Sequence, residues 1–114
     1  MKKIKLILLT LIVAMSVNSC KKDYPKDIPN WLEDKIKYCD KNKNDCHGLI
    51  IDEYSYQSNI YYELYVPIAA PRPNDYYDYN GNLICSDPYM TGNVSCGSFT
   101  SGNLTFKRRI WQEN

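Results

Sequence analysis

The chain lacks three features: an apolar run long enough to cross a membrane, an excess of basic residues and, with one exception, histidine. Its one extended apolar run, residues 4–17, has about 14 residues, whereas a membrane-spanning helix needs about 20. This shortness argues against a retained transmembrane helix. Because Lys2, Lys3 and Lys5 lie before or at the start of the run, we interpret residues 1–19 as a cleaved signal peptide.

The charge balance argues against nucleic acid as a partner. Without residues 1–19 the chain keeps 11 of its 14 Lys and Arg and all 13 Asp and Glu, a formal charge of −2. A nucleic-acid-binding domain of this size normally carries a basic excess or stripe. The longest basic run of the mature chain is Lys107-Arg108-Arg109, which falls within a predicted strand.

Cys20 directly follows the signal and determines the expected location. The sequence Val17-Asn18-Ser19-Cys20 has an aliphatic residue at −3 and a small residue at −1. It resembles the lipobox of bacterial lipoproteins, in which the cysteine becomes acylated. We therefore expect a membrane anchor on Cys20, a short tether over residues 20–30 and a single domain over residues 31–114. The alternative is a free periplasmic or secreted form.

Four further cysteines remain in a short chain that we expect to be exported, and this favours two disulfides. Three pairings are possible, and the spacing favours Cys39–Cys46 and Cys85–Cys96. Zinc is the alternative because His47 follows Cys46. Structural zinc sites use tighter cysteine pairs than these, which are separated by six and ten residues. We expect no metal and no cofactor.

A helix is predicted over residues 29–40. Leu32, Ile36 and Cys39 fall at positions i, i+4 and i+7, which gives one apolar stripe. Proline suits the first turn of a helix, as at Pro29. The stripe predicts that this helix packs on the rest of the domain.

Strand patterns follow the helix. The first predicted hairpin has a three-residue loop, 57–59, and the second turns at Asn80-Gly81, a strong hairpin signal. Residues 67–75, with three prolines, and residues 86–103 are predicted loops. The predicted class is α+β, one N-terminal helix packed on a small antiparallel sheet built from two hairpins and a C-terminal strand. The predicted strands are 49–56, 60–66, 76–78, 83–85 and 105–111.

Five short segments follow one another along the mature chain: 28–32, 53–56, 61–62, 77–85 and 110–111. In this order they resemble a family of small Bacteroidetes-type lipoproteins that is known only as a domain of unknown function. The resemblance covers nearly the whole mature chain and implies a location in the cell envelope, without an activity. The chain departs from the family at residues 87–95, which are poorer in glycine and acidic residues.

Three features suggest chemistry, and each has an argument against it. Residues 78–82 offer calcium-type oxygen ligands, but Gly81 comes too early for a calcium loop, and a hairpin turn explains the same residues. Glycoside hydrolysis needs two carboxylates across a cleft, and Glu53 is a candidate to face Glu63 across the first hairpin, beside Asp52. His47 has no nucleophile motif around it. A small sheet leaves little room for a substrate, so we expect a non-enzyme; a small hydrolase that uses His47 is the minor alternative.

Tyrosine is the strongest functional signal, with eleven residues in the chain. Tyr54 and Tyr56 share a face of one predicted strand, while Tyr61 and Tyr65 share the non-aliphatic face of the next. An exposed row of tyrosines can stack on sugars or anchor a protein partner. Tyrosine is also a favoured half-buried strand residue, which is the structural alternative.

The sequence therefore predicts a non-catalytic lipoprotein of the bacterial envelope, anchored by acylated Cys20 to the outer membrane, on its periplasmic or its surface face. We expect it to bind a protein or a glycan through the four tyrosines. A small inhibitor-like protein that docks its loops into an exported enzyme is the alternative.

Overall fold

The computed structural model describes residues 24–67, 73–89 and 91–113. The predicted signal peptide, Cys20 and residues 68–72 of the proline-containing loop lie outside these described residues. The elements, in chain order, are α1 (Asn30–Lys41), α2 (Lys43–Cys46), β1 (Ile50–Tyr56), β2 (Asn59–Tyr65), β3 (Asn74–Asp78), β4 (Leu83–Asp87), β5 (Ser95–Cys96), β6 (Phe99–Thr100), a 3₁₀ turn (Ser101–Asn103) and β7 (Thr105–Gln112).

The main helix α1 begins after Pro29, whose carbonyl accepts hydrogen bonds from the first turn. Leu32, Ile36 and Cys39 are all buried, as the apolar stripe predicts. The helix ends where the N–H of Asn42 bonds back to the carbonyl of Tyr38. Within the described ranges, no helix combines the length and the hydropathy that a membrane crossing requires.

A five-stranded antiparallel sheet has the order β4-β3-β2-β1-β7, so the last strand of the chain pairs with the first. One main helix and an antiparallel sheet confirm the α+β class. Bulges in the β1–β7 pair set Asp52 opposite Arg109 and Glu53 opposite Arg108. Since neighbouring residues of a strand point to opposite faces, each arginine meets its acid on a different face.

The β1–β2 loop differs from the expectation. It has two residues, Gln57 and Ser58, because Asn59 already pairs with Tyr56. Both loop residues have positive φ, 50° and 65°. This backbone matches the twist of the strands, whereas a three-residue loop would shift the register. The predicted loop was therefore one residue too long.

The main core lies between α1 and one face of the sheet, which we call the helix face. Tyr62, Leu64 and Ile51 contribute from the central strands, and Trp31 packs on Tyr62 and Tyr77 with ring centroids 5.9 and 5.4 Å apart. The buried members are Ile28, Leu32, Ile36, Cys39, Cys46, Leu49, Ile51, Tyr62, Leu64, Val66, Ile110 and Trp111.

Two disulfides are present, Cys39–Cys46 and Cys85–Cys96, with S–S distances of 2.07 and 2.05 Å. These are the pairs that the spacing favours. The first closes the end of α1 over the main core. The second joins β4 to the small β5–β6 sheet, and so fixes that sheet to the large one.

Candidate functional site

The face of the sheet away from α1, which we call the network face, carries two acids side by side. Asp52 of β1 is directly opposite Glu63 of β2, and both are buried. Glu53 pairs with Tyr62 on the helix face. The expectation that Glu53 faces Glu63 was therefore wrong, because the register is set by the two-residue loop and places Asp52 there.

Three side chains donate hydrogen bonds to the Glu63 carboxylate. The hydroxyl of Tyr54 lies 3.0 Å from Oε1, and that of Tyr76 lies 3.1 Å from Oε2. The amide Nδ2 of Asn74 lies 2.6 Å from Oε2. Both oxygens of Glu63 are thus engaged within the fold, so this carboxylate serves the packing of three strands.

Asp52 is neutralised from the other side. Arg109 donates to both of its oxygens, from Nε at 2.9 Å and from Nη2 at 3.4 Å. The Tyr65 hydroxyl donates to Oδ2 at 3.0 Å and accepts from Arg109 at 3.3 Å. Both carboxylates are only 3% and 6% exposed. This arrangement serves stability and leaves neither acid open to a substrate.

The tyrosines of this network keep their protons. Burial, aided by the neighbouring Glu63 charge, raises the pKa of Tyr54 and of Tyr76. Burial has the largest effect on Tyr65 and, together with the charge of Asp52, raises the pKa of Tyr65 to about 12. On the helix face, burial and then the charge of Glu53 raise the pKa of Tyr62. All four are therefore neutral donors at physiological pH.

The four tyrosines chosen from the sequence do not form one exposed row. Each is half-buried. The hydroxyls of Tyr54 and Tyr65 are held by the two acids, and Tyr65 borders a separate small cleft of about 250 Å³. Tyr56 and Tyr61 face a larger cleft. The sequence pattern did not reveal a second layer, which packs on part of the network face, at Tyr61 and Tyr76.

That second layer is the β5–β6 sheet. Phe99 is buried between Tyr61 and Tyr76, with ring centroids 5.2 and 5.5 Å away. Cys85 completes the small cluster through its disulfide. Residues 95–100 form this layer, although the sequence around them, rich in small residues, is typical of an irregular loop. Phe99 is the one signal that could have pointed to it.

A cleft of about 650 Å³ opens where the two sheets meet the hairpin turns. Aromatic and amide side chains share its wall, and among the described residues that line it none is Lys or Arg. Its lining comprises Tyr56, Gln57, Asn59, Ile60, Tyr61, Asp78, Tyr79, Asn80, Ile84, Cys96, Ser98 and Phe99. We call this the turn cleft. Sequence reasoning found Tyr56 and Tyr61 but missed Tyr79, which it treated only as part of a turn.

The β3–β4 turn that carries Tyr79 is rigidly organised. Asp78 Oδ1 accepts the N–H groups of Asn80 and Asn82, both at 2.9 Å. Partial burial acts to raise the pKa of Asp78, but these bonds and the Asn82 side chain outweigh it and lower that pKa. The carboxylate is thus engaged by its own turn, as the turn interpretation of residues 78–82 requires.

Trp31 holds the same turn from the helix face. Its Nε1 donates to the carbonyl of Tyr79 at 2.9 Å. Gly81 has φ +90°, and a Cβ there would lie 3.0 Å from the indole. Glycine is therefore required both for the backbone conformation and for the close approach of Trp31.

The segment after β4 is also fixed. Asp87 is 1% exposed and accepts from the Thr91 hydroxyl at 3.0 Å and from the N–H of Gly92 at 2.8 Å. The Ser101 hydroxyl bonds to Gly92 and Val94. The backbone N–H of Tyr89 also donates to Asp87, at 3.4 Å, while the Tyr89 side chain is 82% exposed.

The first disulfide has an acid beside it. Ligand atoms of Cys39, Cys46 and Glu113 lie within 4.8 Å of one another. The two sulfurs are bonded to each other, so they are not free thiolates for a metal. His47 is exposed and ends α2 in the left-handed conformation, with φ 57°.

Comparisons of this chain with protein-family models, with curated proteins and with solved structures returned no match. Function is therefore inferred from the turn cleft and from the sequence.

Proposed function

We propose that this protein is a non-catalytic lipoprotein of the bacterial cell envelope that binds a neutral glycan in the turn cleft. In this proposal residues 1–19 are the signal, and acylated Cys20 anchors the chain in the outer membrane. The resemblance of its segments supports a place among small Bacteroidetes-type lipoproteins. Two hairpins and the C-terminal strand serve as the scaffold for the cleft.

The proposal depends on the aromatic and amide side chains that line the turn cleft. Tyr56, Tyr61 and Tyr79 offer aromatic faces, which suit the apolar C–H faces of a sugar ring. Asn59 and Asn80 offer donors and acceptors for hydroxyl groups. A volume of about 650 Å³ is in the range of small-molecule sites and accommodates a few sugar units.

The charge of the lining selects the class of glycan. An acidic sugar would require a cation, and the described lining residues include none. The one acid, Asp78, is engaged by the backbone of its turn. A neutral oligosaccharide is therefore the ligand that these side chains fit.

The absence of catalysis in this proposal rests on the two acids of the network face. Asp52 and Glu63 are buried, and every one of their oxygens accepts at least one hydrogen bond from the fold. A general acid or base needs contact with the reacting atoms. Neither group meets this requirement.

Tyr79→Ala provides the test. Tyr79 is 49% exposed in the turn, and its backbone contact to Trp31 survives the substitution. Tyr89→Ala is the matched control, since it removes an exposed tyrosine outside the cleft lining. In a screen of neutral oligosaccharides followed by calorimetry, we expect Tyr79→Ala to weaken binding about tenfold or more, and Tyr89→Ala to leave it unchanged. Equal affinities for the two variants, or no neutral ligand, would contradict the proposal.

The inhibitor-like alternative is favoured by one observation. Among the described residues, Tyr89 is the most exposed large hydrophobic side chain, and Asp87 and Ser101 bind Gly92 close to it in the chain. A rigid aromatic anchor suits a pocket of a protein partner. Capture of one stoichiometric exported enzyme that is lost with Tyr89→Ala, and kept with Tyr79→Ala, would establish this function instead.

A further inference from the structure

The segment that we predicted as a tether is held against the domain from Tyr24 onward. Ile28 is 7% exposed and belongs to the main core, and the half-buried Tyr24 ring packs against the same core. Pro29 starts the helix through its carbonyl. Within the predicted tether, the structure thus places Tyr24, Ile28 and Pro29 against the domain, and residues 20–23 lie outside the described residues.

An arginine fixes this segment to the sheet. Nη2 of Arg108 lies 3.2 Å from Oδ1 of Asp27 and 3.1 Å from Oε1 of Glu53. The Glu53 side chain is 7% exposed, so Arg108 is held by a buried partner while it binds the exposed Asp27. The N-terminal segment is thus attached at Asp27 and at Ile28.

The reach of the connection follows from chain length. Four Cα–Cα steps separate Cys20 from Tyr24, and they span at most roughly 14 Å. A domain of about 100 residues has a radius of gyration of roughly 13 Å. An acyl group on Cys20 therefore keeps the surface around Tyr24 within about one domain radius of the bilayer.

That surface is defined by four side chains. The ammonium of Lys26 lies 4.6 Å from the centre of the Tyr24 ring. Lys37 pairs with Glu33 at 2.9 Å, one helical turn apart. The hydrogen bond from Lys37 lowers the pKa of Glu33, and the nearby charge of Lys26 acts in the same direction. We call Tyr24, Lys26, Glu33 and Lys37 the anchor-side patch.

We propose that the anchor-side patch lies against the lipid headgroups of the bilayer that holds acylated Cys20. The inference rests on the proposed anchor, but not on the glycan. Residues 21–26 carry three lysines and one aspartate, a charge that suits lipid phosphates. A tyrosine beside lysines also suits the membrane interface, where aromatic rings and lysine stems are both accommodated.

A spacer variant tests this proposal. The full chain is expressed in its native host with and without twelve Gly/Ser residues inserted between Lys22 and Asp23. Membranes that expose the anchored domain are treated with an amine reagent that does not cross bilayers. Mass spectrometry then reads the labelling of Lys26, Lys37 and Lys43, and the acyl group on Cys20.

The expected result is that labelling of Lys26 and Lys37 rises at least threefold in the spacer variant. Lys43, which lies beyond the C-terminal end of α1, serves as the internal reference and is expected to stay constant. Equal labelling of Lys26 and Lys37 with an acylated Cys20 would overturn the patch and leave the anchor and the glycan proposal intact. A Cys20 without an acyl group would overturn the anchor and the patch together.

Discussion

Asp52 lies directly opposite Glu63 in the β1–β2 pair, on the same face, with both carboxylates buried. Like charges in this position repel each other and destabilise a sheet. The fold compensates by giving each acid its own donors, a guanidinium for Asp52 and neutral hydroxyl and amide groups for Glu63. The pair therefore organises the strands beneath the β5–β6 layer.

Removing the guanidinium tests this compensation. We expect Arg109→Met to lower the free energy of unfolding by about 2 kcal/mol, because Asp52 loses its charged partner while it stays buried. Lys107→Met is the matched control, since it removes an exposed cation of the same strand and we expect a change within about 0.5 kcal/mol. Urea unfolding at pH 7 measures both. Equal losses would show that Arg109 does not stabilise Asp52.

The contact between Trp31 and Gly81 gives a second prediction. A methyl group at Gly81 would lie 3.0 Å from the indole of Trp31, and the backbone there has φ +90°, a conformation that residues with a side chain rarely adopt. We expect Gly81→Ala to cost about 3 kcal/mol of unfolding free energy. Gly48→Ala is the control, since Gly48 has φ +86° and open space around it. It carries only the backbone cost, about 1–2 kcal/mol. Thermal or urea unfolding compares them, and equal costs would mean that the indole moves away freely.

How far the sequence predicts this fold depends on the range of the interactions. Leu32, Ile36 and Cys39 were correctly placed inside because helical periodicity is local. Alternation in β2 likewise placed Tyr61 and Tyr65 together on the face opposite the aliphatic residues, which is the network face. The same alternation gave no indication that Glu63, also on the network face, is buried, because the donors to its carboxylate lie on the two neighbouring strands, 9 to 13 residues away in the chain.

The candidate site was predictable only in part for the same reason. Tyr56 and Tyr61 were chosen by strand pattern, and both line the turn cleft. Tyr79 reaches the cleft on a turn whose position depends on Trp31. Phe99 reaches it on the two-stranded β5–β6 sheet, whose position depends on the Cys85–Cys96 disulfide. Such placements follow from three-dimensional packing and have no periodic signal in the sequence.

A third prediction concerns alkaline pH. The pKa of Tyr65 is raised to about 12, so the folded chain keeps this phenolic proton after the unfolded chain, with a pKa near 10, has released it. The folded state then binds more protons, and its stability falls as pH rises between about 10 and 12. Tyr65 contributes a slope of at most about 1.4 kcal/mol per pH unit in that window.

Tyr65→Phe isolates this contribution. The variant is expected to be less stable at pH 7, because Asp52 loses a donor, yet to lose stability less steeply above pH 10. Urea unfolding at intervals between pH 8 and 11 gives the two slopes. Identical slopes for the variant and the parent protein would contradict the assignment of the raised pKa to Tyr65.

The last prediction compares the two disulfides, because we expect both to stabilise the fold but only one to affect ligand binding. Their sequence separations are 7 and 11 residues, and loop entropy assigns them stabilisations of about 2.5 and 2.8 kcal/mol. We therefore expect Cys39→Ala/Cys46→Ala and Cys85→Ala/Cys96→Ala to lose similar amounts of unfolding free energy. Only the second pair ties the β5–β6 layer to β4, and Cys96 lines the turn cleft.

Binding of a neutral oligosaccharide should therefore respond differently in these two variants. At a temperature where both remain folded, calorimetry is expected to show at least tenfold weaker binding for Cys85→Ala/Cys96→Ala, and unchanged binding for Cys39→Ala/Cys46→Ala. Circular dichroism at the same temperature verifies that both are folded. Equal loss of binding would mean that global stability, rather than the position of Phe99 and the β5–β6 layer, governs the cleft. Unchanged binding in both would place the ligand elsewhere on the domain.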